Sequence, residues 1–492
     1  MRAHPAGPLH GGMTPPPSVG LPPADLGALD PQVWPRSARR VGGELHLGGT
    51  PVTELVRAHG TPLFVLDEDD FRGRAADFAG AFDGADVHYA SKAFLCGQVA
   101  RWIADDGLHL DACSGNELAV ALAAGFPAER IALHGNNKSL LELRLAVDAG
   151  IGRIVVDSFD EIDRLVPLAE ASGRPVSVLV RATVGIEAHT HEFIATAHED
   201  QKFGFSLATG DALTAAVRVI REPSLHLAGL HSHIGSQIFD TAGFEAAAHR
   251  VVGLLGQVHQ ATGELLGELN LGGGFGIAYL PDDDPVPPVD VARRLRTVVA
   301  AECAALDLPV PRLAVEPGRA IAGPGTVTLY EIGTIKPVRL GSGGHGAPQV
   351  RNYVSVDGGM SDNIRTALYD ADYTCVLANR TSDAAPALCR VVGKHCESGD
   401  VLVRDLWLPS DVQPGDLLAV AATGAYCWSM ASNYNYLLKP PVVAVRDGAA
   451  TEVVRRQTLA DVFALDAVLA GTPAPSPAID QPAPEHPVGA RS

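Results

Sequence analysis

Short apolar, β-branched runs recur along the middle of the chain at 86–90, 108–111, 131–134, 153–157, 176–182, 226–232, 267–271 and 312–316. Amphipathic stretches rich in Ala and Leu separate them, among them 115–125, 138–149, 159–172, 241–262 and 289–306. Strand–helix alternation implies parallel βαβ units, and eight of them predict a (β/α)8 TIM-like barrel of about 250 residues. An open doubly wound sheet is the competing α/β fold. The count of eight favours the barrel, as does the lack of a dinucleotide-type glycine fingerprint after the first strand.

Beyond about residue 320 the helical period stops. VTLYEIGTIKPVRL, NYVSVDGG, ALCRVVGKHC, DVLVRDLWL and DLLAVAAT are short β-branched runs between turn signals. They predict a second, all-β unit, a C-terminal β-sandwich or β-barrel. VGGELHLGG and PLFVLD, ahead of the barrel, are expected to belong partly to it. The expected organisation is a disordered tail (1–25), a segment packing with the β domain (26–66), the barrel (67–320), the β domain (321–470) and a second disordered tail (471–492). Both tails are rich in Pro, which disfavours a packed core, and Met13 is an alternative start.

Composition narrows the classes. Of the 492 residues, 46% are hydrophobic and 19% charged, enough for a large core. A net charge of −19 argues against a nucleic-acid partner. No apolar run reaches the roughly 18 residues of a membrane span, and the first 25 residues lack the apolar core of a secretory signal. The seven cysteines include no CxxC pair, so neither a disulfide framework nor a metal site is expected, and a cytoplasmic location fits best.

Barrel enzymes work at the C-terminal ends of their strands, and here those ends are chemically loaded. The first ends in Ser91-Lys92, the second in Asp111 and Cys113-Ser114-Gly115, the third in His134-Gly135-Asn136-Asn137. The fifth carries Arg181, and the sixth runs into His231-Ser232-His233-Ile234-Gly235-Ser236. The seventh ends in Gly272 to Gly276 and the eighth in Glu316-Pro317-Gly318-Arg319. Alone, Lys92 reads as readily as a lysine snorkelling to the surface. Buried, its pKa is expected to fall, which suits an amine that attacks a carbonyl. Glycines let backbone N–H groups approach an anion. Neither glycine run fits the nucleoside-triphosphate loop. A covalent lysine, a glycine-built phosphate cup and the Glu316 carboxylate together point to pyridoxal 5′-phosphate. A carboxylate at the pyridine nitrogen favours decarboxylation over racemisation. His233 reads either as a ring stacked on that cofactor or as a satisfied core histidine, and Glu316 as either its partner or that of Arg319.

Three clusters mark the β domain. Asp362-Asn363-Ile364-Arg365 with Tyr369 follows VSVDGGM, Cys396-Glu397-Ser398-Gly399-Asp400 follows GKH, and Gly424-Ala425-Tyr426 precedes CWSMASNYN. Cys396 has charged neighbours on an expected loop, so it is a candidate proton donor. Arg319 and Arg365 can each grip a carboxylate.

YASKAF, HTHEFIATAHEDQKFGF, HSHIGSQ, GGGFG, EPGR, DGGMSDNIRTALY, GKHCESGD and GAYCWSMASNYN together resemble the diaminopimelate decarboxylase family, from about Asp67 to Leu465. The resemblance implies an alanine-racemase-like barrel with a β domain, and conversion of meso-diaminopimelate to L-lysine and carbon dioxide. It implies that Lys92 holds the cofactor and His233 stacks on it. Gly235, Ser236, Gly274 and the backbone of Glu316-Pro317-Gly318-Arg319 would surround the phosphate, and Glu316 would bind the pyridine nitrogen. Arg319, Arg365 and Tyr369 would hold substrate carboxylates, Glu397 the distal ammonium, and Tyr426 would reach both cofactor and substrate. Cys396 would reprotonate Cα. Cys396 and Glu397 would enter from a partner subunit, making the enzyme an obligate homodimer. Asn116, where many relatives have glycine, and the proline-rich N-terminal tail depart from the pattern without touching this chemistry.

Rival readings are a related decarboxylase of ornithine, arginine or carboxynorspermidine, an amino-acid racemase, and a non-catalytic cofactor-binding protein. A diamine-forming enzyme would want an acidic distal pocket, which the arginine of SDNIR disfavours. A racemase would want a cation rather than Glu316 at the pyridine nitrogen. A non-catalytic protein would have no need of Lys92 and Cys396.

Overall fold

A computed structural model describes residues 20–186, 202–340 and 350–474. The tails expected at 1–25 and 471–492 fall mostly outside these residues, as does HTHEFIATAHEDQKFGF apart from its last four residues. The N-terminal segment forms β1 (Arg39–Val41), β2 (Glu44–Leu47) and β3 (Thr50–Pro51), an antiparallel sheet, and then β4 (Leu63–Asp67). The barrel strands are β5 (Asp86–Ala90), β6 (His109–Ala112), β7 (Ile131–Leu133), β8 (Arg153–Val156), β9 (Val176–Thr183), β11 (Leu225–His231), β12 (Glu268–Asn270) and β13 (Arg312–Val315), with a two-residue β10 (Phe205–Ser206) on the flank of β9. All eight pair in parallel, and β13 returns to β5, so the sheet closes as the strand–helix count predicts. Closure removes the edges that an open doubly wound sheet would keep.

The strand ends hand over to helices by local chemistry. Ser114, Ser139 and Ser158 cap the helices Gly115–Ala123, Leu140–Ala149 and Phe159–Ser172, each hydroxyl accepting from the backbone N–H of Glu117, Glu142 and Glu161 in turn. Ser139 and Glu142 form a reciprocal capping box. Each cap fixes where a strand stops and a helix starts, and so where the side chains between them point.

The sheet domain comprises β14 (Thr326–Arg339), β15 (Val350–Val356), β16 (Cys375–Leu377), β17 (Pro386–Val392), β18 (Val401–Pro409), β19 (Leu417–Val420), β20 (Val442–Arg446) and β21 (Ala449–Val454). The five runs expected there are all strands. β16, β20 and β21 were not anticipated, although Asp447-Gly448 between β20 and β21 is a hairpin turn signal. PLFVLD joins this domain: β4 lies between β14, antiparallel, and β20, parallel. VGGELHLGG instead builds the separate small sheet, whose Leu45 and Leu47 pack into a core with Val327, Leu417 and Val443.

One buried ion pair braces the barrel near its third strand end. Lys138 Nζ donates to Glu161 at 2.7 Å and to the carbonyls of Gly135 and Val155 at 2.8 and 2.6 Å. Both side chains are buried. Removing one partner of such a pair leaves a stranded charge and costs about 3–5 kcal/mol. Lys138→Ala should therefore lower the urea midpoint of the barrel by an amount equivalent to that cost. A shift no larger than that of an exposed lysine variant would contradict the bracing role.

Candidate active site

A cavity of about 660 Å³ opens between the C-terminal strand ends and the sheet domain, a size suited to a cofactor with a small substrate. Lys92, His233, Gly235, Ser236, Gly274, Glu316, Gly318, Arg319, Arg365, Tyr369 and Tyr426 all line it. The topology thus brings together positions more than three hundred residues apart. Pro317 stands just behind the wall, its carbonyl accepting from the Ala90 N–H at 3.2 Å. Arg181, expected at a strand end, is turned away: its guanidinium lies 4.5 Å from the Phe203 ring and 4.0 Å from Asp157.

Glu316 is the most heavily partnered group. Its Oε1 lies 3.2 Å from Nε2 of both His134 and His231 and accepts from Asn270 Nδ2 at 2.9 Å. Its partners are these three residues and not Arg319. Burial alone would raise its pKa, but the two histidines more than reverse this and hold it well below the usual carboxylate range. His134 Nε2 also lies 3.3 Å from Asp111 Oδ1. Burial pushes Asp111 up to about 6, partly offset by His134, so of these two carboxylates Glu316 keeps its charge more firmly.

Lys92 reverses the expectation of a lowered pKa. Burial pulls in that direction, but Asp111, then Cys113, Tyr426 and Glu316, outweigh it and the net shift is upward. A cation ringed by acidic groups is stabilised more than its desolvation costs. The lysine lines the cavity and is exposed. His233 is driven well below its ordinary pKa by burial and by the Lys92 and Arg181 cations. Its Nδ1 accepts from the Gly273 N–H at 3.2 Å, which puts the proton of the neutral ring on Nε2.

The far wall carries two arginines, and Asp283 and Asp372 also line the cavity. Arg319 donates to Tyr279 Oη at 2.6 Å and to Ser236 Oγ at 2.9 Å, and its guanidinium lies 4.8 Å from the Tyr426 ring. Arg365 donates to Tyr279 and Tyr373 hydroxyls, both at 2.7 Å. Among the described residues no carboxylate forms an ion pair with either arginine.

Cys396 and Glu397 do not line this cavity. They sit on the turn between β17 and β18, with Cys396 exposed. The turn is firmly held. Asp400 accepts from the Met360 and His395 N–H groups at 2.6 and 2.8 Å, and the His395 ring is 2.9 Å from both Ser361 Oγ and Asn435 Oδ1. Cys396 is thus an exposed thiol on a braced turn and is not among the residues lining the cavity.

The residues fit pyridoxal phosphate. A Cβ on Gly274 would stand 2.7 Å from the Gly235 carbonyl, and φ is +118° there, so only glycine leaves this backbone cradle open. Glu316 Oε2 has a single neighbour, His231 Nε2 at 3.3 Å, and so keeps room for one further donor.

Comparison with known proteins agrees. Residues 68–323 match the pyridoxal-dependent decarboxylase pyridoxal binding domain, and 324–424 match the C-terminal sheet domain of pyridoxal-dependent decarboxylases. The chain belongs to the pyridoxal-dependent decarboxylases. It is 59% identical over 444 residues to the diaminopimelate decarboxylase of Mycobacterium tuberculosis (strain H37Rv), covering 89% of this chain and 98% of that protein. Against the diaminopimelate decarboxylase of Bacillus subtilis (strain 168) it is 46% identical over 428 residues, 86% of this chain and 95% of that one. The solved structure of the M. jannaschii diaminopimelate decarboxylase in co-complex with L-lysine superposes with a TM-score of 0.81 at 28% identity, covering 88% and 98% of the two chains.

Several residues of this decarboxylase's cavity region escaped the motif reading, among them Tyr279, Asp283 and Asp372, and Tyr373 behind them. Tyr279 follows the glycine run on a loop, and its arginine partners are 40 and 86 positions away. No local pattern marks such a residue. Glu316→Gln should leave the cofactor bound, read from its visible absorbance, and reduce turnover by about 10²–10³-fold, the usual effect of deleting one preorganised charge. Turnover at the native rate would remove Glu316 from the chemistry.

Proposed function

We propose that this enzyme decarboxylates meso-2,6-diaminopimelate to L-lysine and carbon dioxide, the last step of lysine formation. The observation that carries the reading is the pair Arg319 and Arg365, two cations facing the cavity with no carboxylate partner of their own. A substrate with a second amino-acid end supplies that carboxylate. Ornithine, arginine and carboxynorspermidine decarboxylases would have no use for two cations at the distal end. The relatives named diaminopimelate decarboxylase at 46–59% identity support the same substrate.

When bound, pyridoxal phosphate supplies an electron sink for the electron pair left behind as carbon dioxide departs. Lys92 attaches the cofactor through its amine. Glu316, held ionised by His134 and His231, keeps a proton at the pyridine nitrogen. His233 packs its neutral ring on the cofactor, and Gly235, Ser236, Gly274 and the backbone of Glu316 to Arg319 take the phosphate. Arg319, Arg365 and Tyr369 hold substrate carboxylates, and Tyr426 reaches cofactor and substrate. Cys396 returns a proton to Cα and Glu397 binds the distal ammonium, both from a partner subunit, so that the working unit is a homodimer. The exposure of Cys396 on its braced turn supports this sharing. The division into 26–66, 67–320 and 321–470 is part of this reading, supported by β4 lying in the C-terminal sheet. A cytoplasmic location is supported by seven free cysteines, and no helix among the described residues is long and apolar enough to cross a membrane.

Carbon dioxide release should be fast with meso-diaminopimelate and slow or undetectable with ornithine, arginine and carboxynorspermidine. Comparable rates with ornithine would overturn the substrate assignment. Lys92→Ala and Cys396→Ala homodimers should each lose activity by about 10²–10⁴-fold or more. Their verified heterodimer should recover part of it, because one of its two sites contains both native residues. No recovery would place Cys396 in its own chain's site.

A further inference from the structure

Arg319 belongs to the barrel and Arg365 to the sheet domain, yet both reach one oxygen. Nη1 of each donates to the Tyr279 hydroxyl, at 2.6 and 2.7 Å. The Tyr279 ring centre lies 5.9 Å from one guanidinium carbon and 4.9 Å from the other, so the ring separates two like charges while its oxygen draws them together. The residue cannot drift. Its N–H and that of Leu280 both donate to Asp283 Oδ2 at 2.9 Å, its carbonyl accepts from Thr374 Oγ1 at 2.7 Å, and its ring meets Tyr373 edge-on at 5.2 Å. Nε of Arg319 and of Arg365 are buried without a hydrogen-bond partner. Arg365 is buried and Arg319 half-buried, and two cations so placed are costly unless an anion offsets their charge. A phenol oxygen has two acceptor positions. With both taken, its own proton is left to donate to an anion at the cavity wall it lines.

We propose that Tyr279 is a specificity-determining residue, binding Arg319 and Arg365 into one clamp for the carboxylate at the substrate's non-reacting end. This rests on the substrate reading above and adds to it a residue that ties the two cations to one oxygen. It also gives the specificity a joint origin. Neither domain alone positions the clamp, and the tyrosine is the rivet between them.

The test uses the dimeric holoenzyme and two probes of equal chain length, L-lysine and cadaverine, as competitive inhibitors. They differ only by the carboxylate. In Tyr279→Phe, which keeps the ring and removes the oxygen, binding of L-lysine should weaken by about 10- to 100-fold, the effect of losing a hydrogen-bonding partner to charged groups. Binding of cadaverine should change less than about twofold, and the visible absorbance of the bound cofactor should not change. KM for meso-diaminopimelate should rise more than kcat falls. Equal weakening of both probes would mean that Tyr279 merely supports the loop, and unchanged lysine binding would remove it from the clamp; either result overturns the proposal. Tyr373→Phe, which strips one oxygen from Arg365 alone, should weaken L-lysine less than Tyr279→Phe does, and an equal or larger loss would also overturn it. Absence of carbon dioxide release from meso-diaminopimelate by the wild type would sink the substrate reading instead. The lysine-to-cadaverine ratio would still report on the clamp.

Discussion

A carboxylate buried at the mouth of the barrel sets the terms for the whole site. Taking Glu316 out of water is prohibitive unless its charge is met. The barrel meets it with His134 from the third strand end, His231 from the sixth and Asn270 from the seventh. These residues occupy positions that in most such barrels carry bulky aliphatic side chains. The arrangement works because strands from opposite sides of the barrel converge on one point. A registry error in any of them would strand the charge.

The same logic of charge in a low-dielectric wall runs across the cavity. At one end Asp111 and Glu316 provide negative potential, and Lys92 answers it. On the facing side Arg319 and Arg365 provide positive potential, hydrogen-bonded to hydroxyl oxygens, with Asp283 and Asp372 also lining the cavity. The two cationic groups thus stand in different settings, Lys92 among acidic groups and the arginines on hydroxyl oxygens.

Much of the fold was legible along the chain. Eight apolar runs at strand spacing, separated by amphipathic helices, require parallel strands, and serine caps at 114, 139 and 158 fix the turns between them. PLFVLD was also correctly drawn toward the C-terminal sheet. VGGELHLGG formed its own sheet because its two glycine pairs make tight turns on both sides of ELHL. The glycine runs, Lys92 and Glu316 were visible because strand ends are where a barrel must expose its chemistry. The upward shift of Lys92 was not visible, since periodicity says nothing of which acids gather round an amine. The same holds for the exclusion of Arg181 from the cavity.

The sequence by itself determined the elements, their order and the kind of chemistry at the strand ends, because those follow from local periodicity and residue type. Only the tertiary structure decided who touches whom. Glu316 is held by histidines rather than by Arg319, although Arg319 is three residues away, because neighbours along a turn point apart while strands across a barrel converge. Tyr279 bridges two arginines from different domains, and Cys396 is exposed and does not line the cavity. Each is a relation between positions far apart in the chain, set by closure of the barrel and docking of the sheet domain.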